Sequence, residues 1–501
     1  MRSFVLLLLA SVAVAQSPPP GTPSKPAQTD VNPQKPEPPV IPSLVPPVKD
    51  GKVTYALELS PAAAQKPLSN FYLEAGYGEK QPGEKLGGFL KCFMEQDIFF
   101  NQENQTKREV WLGTALDDLP ADLRSQAGVG SGIAYPEPKY TTMMGFADQA
   151  ARYTRTEWNE YFNLRKDAVY FLLPEVQKLR ALARAVYLRL RCEVKAGEFD
   201  KAVASVRTLF GLTRMLETHP TLIGNLVGMA VASMALDALQ EMVARPGCPN
   251  LYWSFADLPT PLVSLREGLG GERVFLTAQF GKSIPADRPM TDKEVAATLQ
   301  MIAELQGMSG DGGGPLDKPA LRYAGLSADD KRLAAARERL TKDGTPADVV
   351  KAMPKLQLVM LEDMARYTVT RDEIFKWVNR PHPEALAGLK SMEETVKKEK
   401  QSGWVLGPLF LPSVARVTTV QAKLDQRVAS LMAIEAVRLH AAENGGKLPE
   451  KLSDVMVTVP NDPVSGKPFA YSVKDGVATL TGKNPSGMES DNRVYELKLR
   501  K

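Results

Sequence analysis

The chain has 501 residues, room for about two to four domains, and its 44% hydrophobic content permits a sizeable core. Its 62 basic and 58 acidic residues are interspersed and leave a net charge of +4, which provides no electrostatic footprint for nucleic acid. Three cysteines, Cys92, Cys192 and Cys248, with no C-x-x-C, exclude a redox dithiol motif or a zinc knuckle. They leave two readings open, a Cys192–Cys248 bridge or buried free thiols.

Residues 1–15 carry Arg2, the apolar run Phe4 to Ala10 and then Ala13-Val14-Ala15 before Gln16. That is the pattern of a cleavable signal peptide, with an apolar run too short to span a bilayer and no cysteine to take a lipid. Residues 16–50 hold 12 prolines and no aromatic, the composition of a semi-rigid linker. Residues 51–150 form a mixed region that opens on the alternating Val53 to Leu59, a short strand. Its Gly128-Val129-Gly130-Ser131-Gly132 matches neither a nucleophile elbow nor a dinucleotide fingerprint and is expected to be a loop.

Residues 151–270 are expected to be a helical-hairpin domain. Leu179, Leu182, Ala183, Val186, Leu188 and Leu190 mark one helix, and Ala196-Gly197-Glu198-Phe199-Asp200 turns the chain into a second. This turn resembles the inter-helix turn of a tetratricopeptide repeat, in a single copy with no 34-residue period. A third helix after Pro220 is apolar nearly all round and contains Gly224-x-x-x-Gly228. The central helix of a soluble core and a membrane span both fit it. Tyr252, Trp253 and Phe255 could line a pocket or simply pack.

Residues 271–403 are a second helical region, with helices expected at 291–306, 327–341, 346–378 and 383–400 and a break at Pro354. The Ser309 to Pro315 segment is a glycine-rich connector without the lysine-serine pair of a phosphate loop. From about Pro412 to Asn444 apolar residues recur at helical spacing, and Asn444-Gly445-Gly446 ends the helix. Strands follow at 469–473 and 477–480 around Lys474-Asp475-Gly476, a hairpin signal, and at 494–499. The expected fold is mainly α, a helical-hairpin core with a C-terminal long helix plus a small antiparallel sheet (α+β).

Residues 404–501 resemble the soluble part of type II secretion pseudopilins. The resemblance rests on Ala433 to His440, on Glu443-Asn444-Gly445-Gly446-Lys447-Leu448-Pro449, and on Pro460-Asn461-Asp462-Pro463-Val464-Ser465-Gly466-Lys467-Pro468-Phe469. It implies a helix ending in a glycine turn, a Leu-Pro step, a loop and a small sheet. In that family calcium can bind near the loop, and Asp462 is the matching carboxylate; no metal is assigned. His219 to Gly228, Pro249 to Trp253 and Leu448 to Phe469 also resemble a family of exported planctomycete proteins, which implies export and brings no established activity.

No close histidine or cysteine cluster, H-E-x-x-H or EF-hand loop occurs. His219 is expected at a turn or cap, His382 in a loop between Pro381 and Pro383, and His440 at a helix end that favours a cation. Glu157 and Glu160, on one helix face near Trp158, are a carboxylate pair or a solvated face. Catalytic residues stay unknown, and no cofactor is expected. The leading expectation is an exported, periplasmic or envelope-associated protein that binds other proteins, with no membrane span after signal cleavage. The alternatives are an extracytoplasmic hydrolase whose site assembles only in the fold, and a secretion-system accessory.

Overall fold

The computed structural model describes residues 48–49, 52–94, 100, 102–120, 138–158, 174–308, 318–485 and 492–500. The signal-peptide pattern, nearly all of the proline-rich segment, Gly128 to Gly132, Glu160 and the Ser309 to Pro315 connector lie outside them.

The chain enters through β1 (Val48–Lys49) and β2 (Lys52–Leu59). Next come β3 (Gln81–Glu84), α1 (Lys85–Leu90), α2 (Gln102–Leu112), α3 (Pro138–Ala151) and β4 (Tyr153–Arg155), with β3 and β4 forming a small parallel pair. The hairpin helices follow as α4 (Pro174–Lys195) and α5 (Phe199–Glu217). Gly197, at φ 72°, closes α4, and Glu198 N–H reaches back to the Glu193 carbonyl at 2.9 Å. This is the left-handed cap that glycine adopts without steric cost.

Thr221 caps α6 (Leu222–Val243) by accepting from Gly224 N–H at 3.2 Å. The two glycines of α6 serve its approach to α5. A Cβ on Gly224 would fall 2.2 Å from the His219 ring, and one on Gly228 would fall 3.2 Å from the Leu216 side chain. Within the described residues α6 is the one helix long and apolar enough to cross a membrane. Here it is packed by α4, α5 and α8 (Arg266–Phe280), and its polar residues are engaged. Asp237 pairs with Arg427 at 2.6 Å and Glu241 with the fully buried Arg191 at 2.8 Å.

After α7 (Tyr252–Ala256) and α8, the second helical region runs α9 (Asp292–Met308), α10 (Pro319–Ser327), α11 (Asp330–Lys342), α12 (Ala347–Ala352), α13 (Lys355–Val378) and α14 (His382–Gln401). Met353 and Pro354 are extended and split α12 from α13, as the missing N–H of proline requires. The long helix α15 spans Leu406–Glu443 and so begins ahead of Pro412. Its start is fixed by the buried Asp363 of α13, whose Oδ2 accepts from Val405 N–H at 3.0 Å and Leu406 N–H at 3.1 Å. Pro408 falls in the first turn, where no intrahelical N–H is needed. Gly445 and Gly446 have φ of 64° and 75°, and Gly446 N–H bonds the Ala441 carbonyl at 2.8 Å to end the helix.

The fold is mainly α with one small principal sheet, whose order is β1-β2-β7-β6-β5. The expected antiparallel hairpin is β5 (Ala470–Lys474) with β6 (Val477–Gly482), turned by Asp475 at φ 53° and Gly476 at φ 76°. β7 (Arg493–Leu499) pairs antiparallel with β6 and parallel with β2, Val53 opposite Arg493 through Leu59 opposite Leu499. One sheet is thus built from β1, at the end of the proline-rich segment, and from residues 51–150 and 404–501 together. Ala478, Leu480, Tyr495 and Leu497 are buried in the core shared with α15. All three cysteines are free thiols, with Cys92 and Cys248 buried.

Candidate functional site

The residues singled out in the sequence do not converge on one site: His219 meets Trp158, and His382 lies against the Asp462 loop. His219 is fully buried between α5 and α6, where its Nδ1 accepts from Thr221 N–H at 3.2 Å and its ring meets Trp158 edge-on at 4.5 Å. Burial lowers its pKa to about 4, so at neutral pH it is an uncharged turn residue. His382 is not in a loop. It opens α14 and bonds the Val464 carbonyl through Nδ1 at 3.2 Å, because Pro381 and Pro383 suit a helix N-terminus. Burial lowers its pKa as well. Glu157 is exposed in an irregular segment after β4 rather than on a helix. Tyr252 and Phe255 are packed, the Tyr252 hydroxyl donating to the Thr458 carbonyl at 2.5 Å, and Trp253 remains 45% exposed.

Asp462 is buried at the centre of its loop. Its Oδ1 accepts from Gln426 Nε2 at 2.8 Å and Val464 N–H at 3.0 Å, and its Oδ2 from Ser465 Oγ and Lys483 N–H, each at 3.0 Å. Four donors occupy both oxygens, which makes this carboxylate a loop organiser. Among the described residues no group of three or more histidine, cysteine or acidic side chains could hold a metal ion.

What the fold does assemble is a cleft of about 610 Å³ at the turn of the α4–α5 hairpin. One wall is Ser60 to Ala62, Gln65 and Phe71, which follow β2. The second is Gly197 to Lys201, and the third is Gly247 to Pro249. These segments are distant in sequence, and Arg438 of α15 ties two of them from behind. Its guanidinium donates to the Ser60 carbonyl at 2.9 Å, the Cys248 carbonyl at 2.7 Å and the Pro249 carbonyl at 3.4 Å. Glu435, one helical turn earlier, balances its charge at 2.8 Å, and both side chains are fully buried. The Ala62 N–H returns a bond to the Arg438 carbonyl at 3.2 Å.

An adjoining cleft of about 690 Å³ lies between Ser69 to Glu79 and α5, with Asp200 lining both. Arg207 shapes it by donating to the Tyr72 carbonyl at 2.7 Å, to Glu79 at 3.1 Å and to the Ser69 and Asn70 carbonyls at 3.2 Å each. Tyr77 stands out at its rim, 93% exposed. The lining combines aromatic rings with the carboxylates Glu198, Asp200 and Glu79. It contains no histidine, and burial pushes its one thiol, Cys248, up to about 12, where it is unreactive. The Gly197 turn, Cys248 and Pro249 stand out in the sequence, but their convergence with Ser60 to Ala62 arises only through long-range contacts.

No family model, curated protein or solved structure matches this chain.

Proposed function

We propose that this chain is an exported, non-enzymatic binding protein, and that its paired clefts at the hairpin turn receive a segment of a partner protein in the envelope. The observation that carries this reading is the adjoining pair of open clefts, which share Asp200, carry Tyr77 at the rim and are lined by charged side chains of both signs, without a nucleophile beside a base in their lining. Tyrosine at a rim provides large contact area at low entropic cost, the usual property of a recognition residue. The signal-peptide pattern of residues 1–15 and the proline-rich stretch behind it support export and a tethered folded part.

The α4–α5 turn supports the likeness to a tetratricopeptide hairpin. The glycine-terminated α15, the Leu448-Pro449 step, the Asp462 loop and the small sheet support the likeness to a pseudopilin end, here joined to β2. The ion pairs of Asp237 and Glu241 support α6 as a core helix rather than a span. The test is a photo-crosslinker placed at Tyr77 in the tagged chain, activated in its native envelope, with an equal label at the exposed Lys293 as control. A protein captured reproducibly from position 77 and absent from position 293 is the expected result. Identical or empty captures from both positions would sink the reading.

A further inference from the structure

A second feature lies where α10, α11, α13 and α14 meet the start of α15, and it shares no residue with the clefts. The Trp404 ring, 4% exposed, carries two guanidinium groups, with Arg332 Cζ 4.9 Å and Arg366 Cζ 4.8 Å from its centroid. The two cations are therefore no further apart than those two distances combined. A tryptophan face attracts a cation, and it also holds a long arginine side chain in one orientation.

The neutralisation around them is incomplete. Arg366 is exposed and has no ion pair within 4.0 Å among the described residues. Arg332 faces Asp329 at 3.6 Å, but Asp329 also accepts from the N–H groups of Lys331 and Arg332 as the cap of α11, and Arg332 Nη1 has no partner. Arg322 adds a third guanidinium, which donates to the carbonyls of Lys400 at 3.3 Å and Trp404 at 3.4 Å. Of the nearby acids, Glu362 is paired with Arg339 at 2.8 Å, Asp363 faces the start of α15, and Glu399, buried and accepting from Thr370 at 3.0 Å, is the one acid whose charge reaches Arg366, without a direct ion pair to it.

We propose that Arg332 and Arg366, presented by the Trp404 ring, form a binding site for a phosphate dianion, carried by a small solute or by a lipid headgroup. Two guanidinium forks on one ring match a doubly charged tetrahedral oxyanion better than a single carboxylate, because phosphate offers oxygens to both forks and balances both charges. The site does not depend on the clefts, so neither reading falls with the other.

The test titrates the full chain with inorganic phosphate by calorimetry at low ionic strength. In parallel, the chain is sedimented with phosphatidylcholine vesicles with or without phosphatidic acid. Saturable binding of inorganic phosphate identifies a solute site, and sedimentation only with phosphatidic acid identifies a headgroup site. In either case Arg366→Gln and Arg332→Gln are expected to weaken binding at least tenfold, while Arg380→Gln, an exposed arginine paired elsewhere with Glu384, leaves it unchanged. Arg366→Gln is the decisive variant, because it removes an exposed side chain and should leave the circular dichroism intact. Binding to neither probe, or equal binding by Arg366→Gln and Arg380→Gln, overturns the proposal.

Discussion

At its start, α15 rests on a carboxylate. One buried oxygen of Asp363 collects the Val405 and Leu406 N–H groups and the Tyr323 hydroxyl, the last at 2.8 Å. Near its end, α15 rests on a guanidinium, with Arg438 giving hydrogens to three carbonyls and to Glu435. The first tie stays within the second helical region and the start of α15. The second joins the segment after β2, the loop after α6 and α15 itself. The two also differ in titration, since burial raises the Asp363 pKa to about 6, whereas arginine keeps its proton at any ordinary pH. A single helix is thus held at one end through a carboxylate that titrates and at the other through a guanidinium that keeps its proton.

The largest effect is expected at the guanidinium end. Arg438→Ala leaves Glu435 buried without its counter-charge and takes a donor from three carbonyls, of which the Pro249 carbonyl keeps the Cys248 thiol. A loss of about 3–5 kcal/mol in urea unfolding is expected, the usual cost of stripping one partner from a buried ion pair. A loss below about 1 kcal/mol would mean that water replaces the side chain and that the tie is not structural.

The carboxylate end should reveal itself through pH. Folded Asp363 holds its proton more tightly than the unfolded residue, whose pKa is the ordinary 3.8. Its contribution is therefore whole below that value and is lost as pH rises through about 6. Tyr323, Glu399 and the start of α15 are the groups that face it. Asp363→Asn removes this titration, while acids elsewhere cancel when variant and wild type are compared. From pH 4 to pH 7 wild-type stability should fall relative to Asp363→Asn by roughly 1–3 kcal/mol. A difference that stays flat or rises would break the contrast between the two ends.

A smaller effect separates backbone from side chain at the far end. Gly445 has φ of 64°, and a Cβ there meets nothing within 4 Å. Gly445→Ala is therefore a pure test of the left-handed conformation, with an expected cost of about 1 kcal/mol in thermal unfolding, the same at every pH.

These ties differ in how well the sequence announced them. Gly445-Gly446, the Pro354 break and Lys474-Asp475-Gly476 were readable because each acts on its own neighbours through a fixed φ or a missing N–H. The parallel pairing of β2 with β7 was not readable, since the alternation in Val53 to Leu59 fixes a strand but not its partner. Arg438 looked like one more polar residue on an amphipathic helix, because nothing local marks a guanidinium that meets carbonyls almost two hundred and almost four hundred residues away in sequence. Its burial emerges only when three segments close around it. The convergence of the cleft's walls was illegible for the same reason, as two of its three walls are segments that Arg438 ties.

Recognition and support can finally be separated at that same end of the molecule. Tyr77 touches the architecture little, being 93% exposed, yet it stands over the cleft beside the loop that Arg207 holds. Tyr77→Ala should therefore leave the unfolding midpoint unchanged, within about 0.5 kcal/mol, as for exposed positions generally. If the clefts receive a partner, the same change should cost about 1–2 kcal/mol of affinity for the protein captured at position 77, because truncating a rim aromatic removes buried contact area. Arg438→Ala would reduce capture too, but together with stability, because it loosens the walls it ties. A Tyr77→Ala protein that is fully folded and binds as tightly as wild type would locate recognition elsewhere and leave this end of α15 with a purely structural role.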